Sequence, residues 1–155
     1  MRAHKACCAP LLANAFAASR RTISYNPASK PMVMAAVDLT DLVDQRMEDM
    51  KEDDEGLSAE ATFFMSESGP WGFIVVRDEM DELIGFEFVE TEGSWRRPEA
   101  MLEYNAAADA ELEVLVVVPD EAFAEVVGMV YRSGDPSITI SDYSAMELIT
   151  RPLVS

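Results

Sequence analysis

From Asp38 onward, apolar and polar positions follow two rhythms, and each predicts one kind of element. Leu39, Leu42, Val43, Met47 and Met50 recur near the i, i+3, i+4 spacing of a helix face. Asp38 stands where a helix cap is wanted, and Glu52 to Gly56 ends the helix near Asp53. Ala61 to Met65 reads as a first strand and Ser66 to Pro70 as a turn. Trp71 to Arg77 is an almost wholly apolar strand, Asp78 to Glu82 a polar turn, and Leu83 to Glu90 a long returning strand, which makes a hairpin. After a loop over Thr91 to Ser94, Pro98 suits the first position of a helix that runs to about Asp109. Leu112 to Val118 is an apolar run apart from Glu113, as in a strand buried on both faces. Pro119-Asp120-Glu121 opens a helix with Phe123, Val126, Val127 and Val130 on one side, and Gly134-Asp135-Pro136 turns the chain. Ser137 to Ser141 and Met146 to Thr150 read as two shorter strands around Asp142-Tyr143-Ser144.

The predicted order is α-β-β-β-α-β-α-β-β, an α/β fold in which a mixed sheet is flanked by helices. The first strands form an antiparallel meander, and helical crossovers add parallel strands beyond it. Residues 38–155 read as a single acidic domain of a size that can bury a core. No apolar stretch approaches the roughly 18 to 20 residues that a membrane span needs.

Charge divides the chain in two. All 29 acids lie at or beyond Asp38, against Lys51, Arg46, Arg77, Arg96, Arg97, Arg132 and Arg151, a formal charge of −22. Residues 1–37 carry Arg2, Lys5, Arg20, Arg21 and Lys30 and no acid at all. This basic tail is expected to be disordered, and its origin has more than one reading. It resembles a mitochondrial presequence, with Arg21-Thr22-Ile23-Ser24 like a processing site. It also fits a mis-assigned start, with translation beginning at Met32 or Met34. A secretory or twin-arginine reading fits less well, because Pro10 and Asn14 break one apolar run and the run after Arg20-Arg21 is short.

Abundant Asp and Glu with almost no Lys is the composition of proteins bathed in molar salt. There, carboxylates hold hydrated cations, and a Debye length of roughly 3 Å screens self-repulsion. The rival reading is an acidic surface that docks a basic partner or mimics nucleic acid. A mimic orders its charges in a stripe, whereas these spread over every element. On either reading direct nucleic-acid binding is disfavoured, since few cations are present to displace phosphate counterions.

The only cysteines, Cys7 and Cys8, and the only histidine, His4, lie in the tail. The acidic domain therefore lacks thiolate nucleophiles, imidazole acid–base groups and Cys/His zinc sites. Carboxylate chemistry with a hard cation such as Mg²⁺, a Ser/Lys arrangement, or no chemistry remains.

The element order resembles the core of the restriction-endonuclease-like superfamily, the PD-(D/E)xK nuclease fold, from about Asp38 to Pro152. In that family an Asp near the start of the second strand and a Glu-x-Lys on the third carry the site. A helix and a buried strand ending in Val-Pro often follow, as Met101-Leu102-Glu103-Tyr104 here leads to Val116-Val117-Val118-Pro119. The site holds Mg²⁺ between two acids and uses the Lys to orient water or stabilise charge at the phosphate. In Ile84-Gly85-Phe86-Glu87-Phe88-Val89, Glu87 matches the acid, but Val89 stands where the Lys belongs. Trp71 replaces the expected Asp after Pro70, and Lys51, the domain's only lysine, lies on the first helix.

The resemblance thus implies a nuclease frame with a degenerate motif, a pseudoenzyme that serves as a binding or regulatory module for a protein partner, without a cofactor. The alternative is a divergent Mg²⁺ nuclease in which Glu87 holds the metal and Glu67, Asp78 or Glu90 supplies a migrated ligand. Trp71, Trp95, Arg96, Arg97 and Tyr104 are the candidate ligand-binding residues, lining a cleft beside the hairpin. For each a plainer use exists: packing for the aromatic rings, pairing with neighbouring Glu for the arginines, and a polar edge for Glu87. The expected compartment is the cytoplasm of a salt-rich cell. If residues 1–24 are a presequence, it is instead the mitochondrion, for an imported protein or complex subunit.

Overall fold

A computed structural model of the chain describes residues 38–151, so every expectation about the basic tail lies outside the described residues. The elements are α1 (Leu39–Asp53), β1 (Ser58–Ser66), β2 (Gly69–Arg77), β3 (Leu83–Val89), α2 (Ala100–Asp109), β4 (Glu113–Val118), α3 (Phe123–Ser133) and β5 (Ile138–Asp142). Single 3₁₀ turns at Ser94–Arg96 and Asp120–Ala122 lead into α2 and α3. The five strands lie in the sheet in chain order. β1, β2 and β3 are antiparallel, while β3, β4 and β5 are parallel. Tight hairpins suffice for the first three strands, whereas each parallel neighbour needs a crossover, which α2 and α3 supply.

Side-chain alternation splits the core into two layers. Trp71, Phe73, Phe86, Phe88, Val114 and Val116 face α2 and α3, where they meet Tyr104, Ala107, Val126 and Val130. Ile74, Val76, Val89 and Val117 face the other way, onto Leu39, Leu42, Val43 and Met50 of α1. Asp38 caps α1 by accepting from the Asp41 N–H at 3.2 Å. Two glycines are structural requirements. Gly69 closes the β1–β2 turn at φ +129°, a conformation that L residues rarely adopt. A Cβ on Gly72 would lie 2.9 Å from Val43 Cγ2, so the bare backbone there lets α1 sit close to the sheet.

The expected last strand, Met146 to Thr150, is corrected by the structure, which has turns and irregular chain there. Local bonds explain the difference. The Met146, Glu147 and Leu148 N–H groups donate to the Asp142, Ser144 and Tyr143 carbonyls, and the Ala145 N–H to the Asp142 side chain. The Ile149 backbone meets a side chain rather than a strand: Gln45 of α1 donates to its carbonyl and accepts from its N–H, both at 2.8 Å. Leu148 is buried under α1, so the segment clasps the helix instead of widening the sheet. Smaller departures lie at the ends. β1 runs from Ser58 rather than Ala61, and the first turn is only Glu67-Ser68, with Pro70 already in β2.

Candidate functional site

The chemistry-bearing side chains gather along β3 and the loop that follows it. Glu87 points to the α1 face. There Arg46 donates from Nε to Oε1 at 2.7 Å and from Nη2 to Oε2 at 2.9 Å, a two-pronged pair that engages both carboxylate oxygens. The helix that carries Arg46 also carries Leu42, Val43 and Met50, so packing of α1 fixes where the guanidinium arrives.

Glu90 lies just beyond the end of β3 and is wholly buried. Its N–H donates to the Val117 carbonyl at 2.8 Å, which prolongs the contact with β4 and drives the side chain inward. Oε1 accepts from Ser94 Oγ at 2.6 Å and from Arg97 Nη1 at 2.7 Å. Oε2 accepts from the Tyr104 hydroxyl at 2.7 Å and from Arg97 Nη2 at 3.2 Å. Four donors occupy the roughly four lone-pair positions of a carboxylate. Arg97 also donates from Nε and Nη2 to Glu103 Oε1, at 2.9 and 2.7 Å, and from Nη1 to the Ser94 carbonyl at 2.9 Å. Its guanidinium lies 3.7 Å from the centre of the Trp71 ring, and Trp71 stacks on Phe64. Tyr143 closes the cluster by donating to the Glu90 carbonyl.

Electrostatics hold the protons on Arg97 and Tyr104 near neutrality. Burial opposes the Arg97 charge, but Glu90 and then Glu103 outweigh it, and the guanidinium is held above its ordinary value. Burial, followed by the neighbouring Glu90 charge, pushes the Tyr104 phenol well above its own. Both groups stay protonated as donors across the physiological range, which suits a structural clamp better than an acid–base relay.

The structure brings together Trp71, Arg97, Tyr104 and Glu90 from the candidate residues. Trp95 and Arg96 form a second, outer stack, with the guanidinium 4.7 Å from the ring centre. Arg96 is exposed and lies 3.8 Å from Glu125. Trp95 Nε1 is buried without an acceptor among the described residues. The remaining carboxylates do not converge. Glu67 is exposed in the β1–β2 turn, and Asp78 accepts from the Met80 and Glu82 N–H groups in the β2–β3 turn. β2 separates these turns by roughly 25 to 30 Å at about 3.3 Å per residue.

Mg²⁺ needs open oxygen ligands. Of the acids best placed for it by sequence, Glu90 has every lone-pair position occupied, and both oxygens of Glu87 are already paired with Arg46. Among the described residues, no group of three or more Asp, Glu, His or Cys could hold a metal ion. The donor set therefore does not fit the metal of the divergent-nuclease reading. No helix among the described residues is long and apolar enough to cross a membrane.

Sequence reasoning passed over Arg46, Ser94, Glu103 and Tyr143. Glu103 left a signal: Ala100, Glu103, Tyr104 and Ala107 share the buried stripe of α2, and an acid on such a stripe asks for a buried cation. Arg46 left the same signal: Leu42 and Met50, its i−4 and i+4 neighbours, lie on the buried stripe of α1, where a cation asks for a buried acid. Compared with models of protein families, with curated proteins and with solved structures, the chain matches none.

Proposed function

We propose that residues 38–155 form a non-catalytic binding or regulatory module on a restriction-endonuclease-like frame, working with a protein partner in a salt-rich cytoplasm. One observation carries the non-catalytic part: both acids of the β3 region are engaged by intramolecular donors, Glu87 on both oxygens by Arg46, and Glu90 on every lone-pair position by Arg97, Ser94 and Tyr104. A metal site would have to break one of these before it could form. The order of the meander, the α2 crossover and the Val118-Pro119 strand end support the frame. The surface supports the setting. Only Glu87, Glu90 and Glu103 of the 29 acids are buried, so the others meet solvent or partner.

The test is cleavage of supercoiled plasmid with Mn²⁺ as the permissive metal, over KCl from dilute to several molar. No nicking at any salt concentration is expected. Nicking that Glu87→Ala abolishes would restore the divergent-nuclease reading.

A further inference from the structure

The outer edge of β1 is built unlike the rest of this surface. Among the described residues no strand lies beyond it. The two-residue turn makes Ser66 and Gly69 the closing hydrogen-bonded pair, so opposed positions alternate from there along the ladder. Pro70, which has no N–H, fits this register, because it stands opposite Met65 at a position that requires no bond to β1. Met65, Phe63, Ala61 and Ala59 therefore turn their backbone N–H and C=O groups away from β2.

Exposed edges are commonly blunted by charge, proline, bulges or shortness. β1 uses none of these fully. It is nine residues long, contains no proline and pairs with β2 through nine consecutive positions without a register shift. Residues 38–151 number 114 and carry 29 acids and seven cations, so roughly one in three is charged. In β1 only Glu60 is charged. The opposite edge, β5, has five residues and ends on Asp142. The charge-poor stripe along β1 is thus a place where another strongly acidic body can approach.

We propose that two copies of the chain pair antiparallel through β1, about a two-fold axis at Thr62, to form one continuous ten-stranded sheet. The sequence of the strand is complementary to itself in this register. On the α1 face Ala59 comes opposite Met65 of the second copy, and Ala61 opposite Phe63, so each small side chain meets a large one. On the other face Thr62 meets its own copy, Ser58 meets Ser66, and Glu60 meets Phe64. The outward-turned residues pair with each other, as a hydrogen-bonded ladder needs. The two Glu60 carboxylates stand roughly 14 Å apart along the ladder, beyond the screening length in molar salt. Met65 is 39% exposed and Thr62 is exposed, so apolar and Thr–Thr cross-strand contacts remain to be made. Two-fold pairing also closes on itself and leaves no edge for a further copy at this strand. One strand pair gives a small interface, so the dimer is expected to depend on concentration. This inference goes beyond the proposed module and does not rest on it, because it concerns a different surface and stands whether or not the domain cleaves nucleic acid.

The test is sedimentation of the full chain in molar KCl up to near-millimolar concentration, with Ala61→Pro and Thr62→Glu. Ala61→Pro deletes an outward N–H and leaves the bonds to β2. Thr62→Glu sets two carboxylates face to face at the two-fold, from an exposed position that the fold does not need. The wild type is expected to dimerise, with slowed exchange of the Ala61 and Phe63 amides. Each variant that keeps the wild-type melt at low concentration should associate at least ten-fold more weakly. A wild type that stays monomeric throughout, or a dimer that both variants leave intact, would overturn the proposal.

Discussion

Arg97→Met is expected to cost about 3 to 5 kcal/mol of folding stability, the range for removing one partner from a buried ion pair. For a domain of this size that shifts the melting midpoint down by on the order of 15 °C. The reason is specific to the cluster. Arg97 is the cation for Glu90 and also for Glu103, and the side chains of all three are at most 5% exposed. Without the guanidinium, two carboxylates face each other in an apolar layer with only Ser94 and Tyr104 left to donate to Glu90. Trp71 would also lose the group stacked on its ring. Adding Glu90→Gln and Glu103→Gln to Arg97→Met should recover much of the loss, since the stranded charges go with the change. A recovery measured by thermal melts in molar KCl would locate the cost in uncompensated charge. No recovery would locate it in lost packing.

The second large effect concerns salt. The melting midpoint is expected to rise continuously with KCl from dilute to several molar, with the domain unfolded at the dilute end. The structure sharpens this expectation. Arg46 and Arg97 are taken up by buried acids, which leaves five cations on the outside to face 26 carboxylates. Of these, Arg96 lies near Glu125, and Arg151 pairs with Asp41 at 2.9 Å. Exposed pairs of this kind contribute little, so the surface behaves as a nearly uncompensated shell whose self-repulsion only mobile ions can screen. A midpoint indifferent to KCl would mean that the acids were selected for a basic partner instead.

Much of the fold was legible because two periods were clean. Leu39, Leu42, Val43 and Met50 gave α1 its face, and the run from Leu112 to Val118 announced the strand found at Glu113–Val118. The end of the chain misled for a physical reason. Met146 to Thr150 has the composition of a strand, but Asp142 and Gln45 offer its backbone side-chain and turn partners. The Asp142 contacts are local, but the Gln45 partner is not visible without knowing that α1 lies alongside. The candidate site was legible in part. Trp71, Glu90, Arg97 and Tyr104 stood out as residue types, yet nothing local says that they converge across 34 positions of chain from β2 to α2. Pairing of Glu87 with Arg46 spans 41 positions and joins a strand to a helix packed on it, so no spacing rule reaches it.

The central claim is that the carboxylates along β3 hold the fold together and are closed to metal. Titrating Mn²⁺ into the full chain in molar KCl, beside Glu87→Gln, tests it most directly. Only weak, unsaturable association, equal in both proteins, is expected, with a lower melting midpoint for the variant, whose part-buried Arg46 has lost its ion pair. A saturable one-to-one site that Glu87→Gln removes, with the midpoint unchanged, would contradict it.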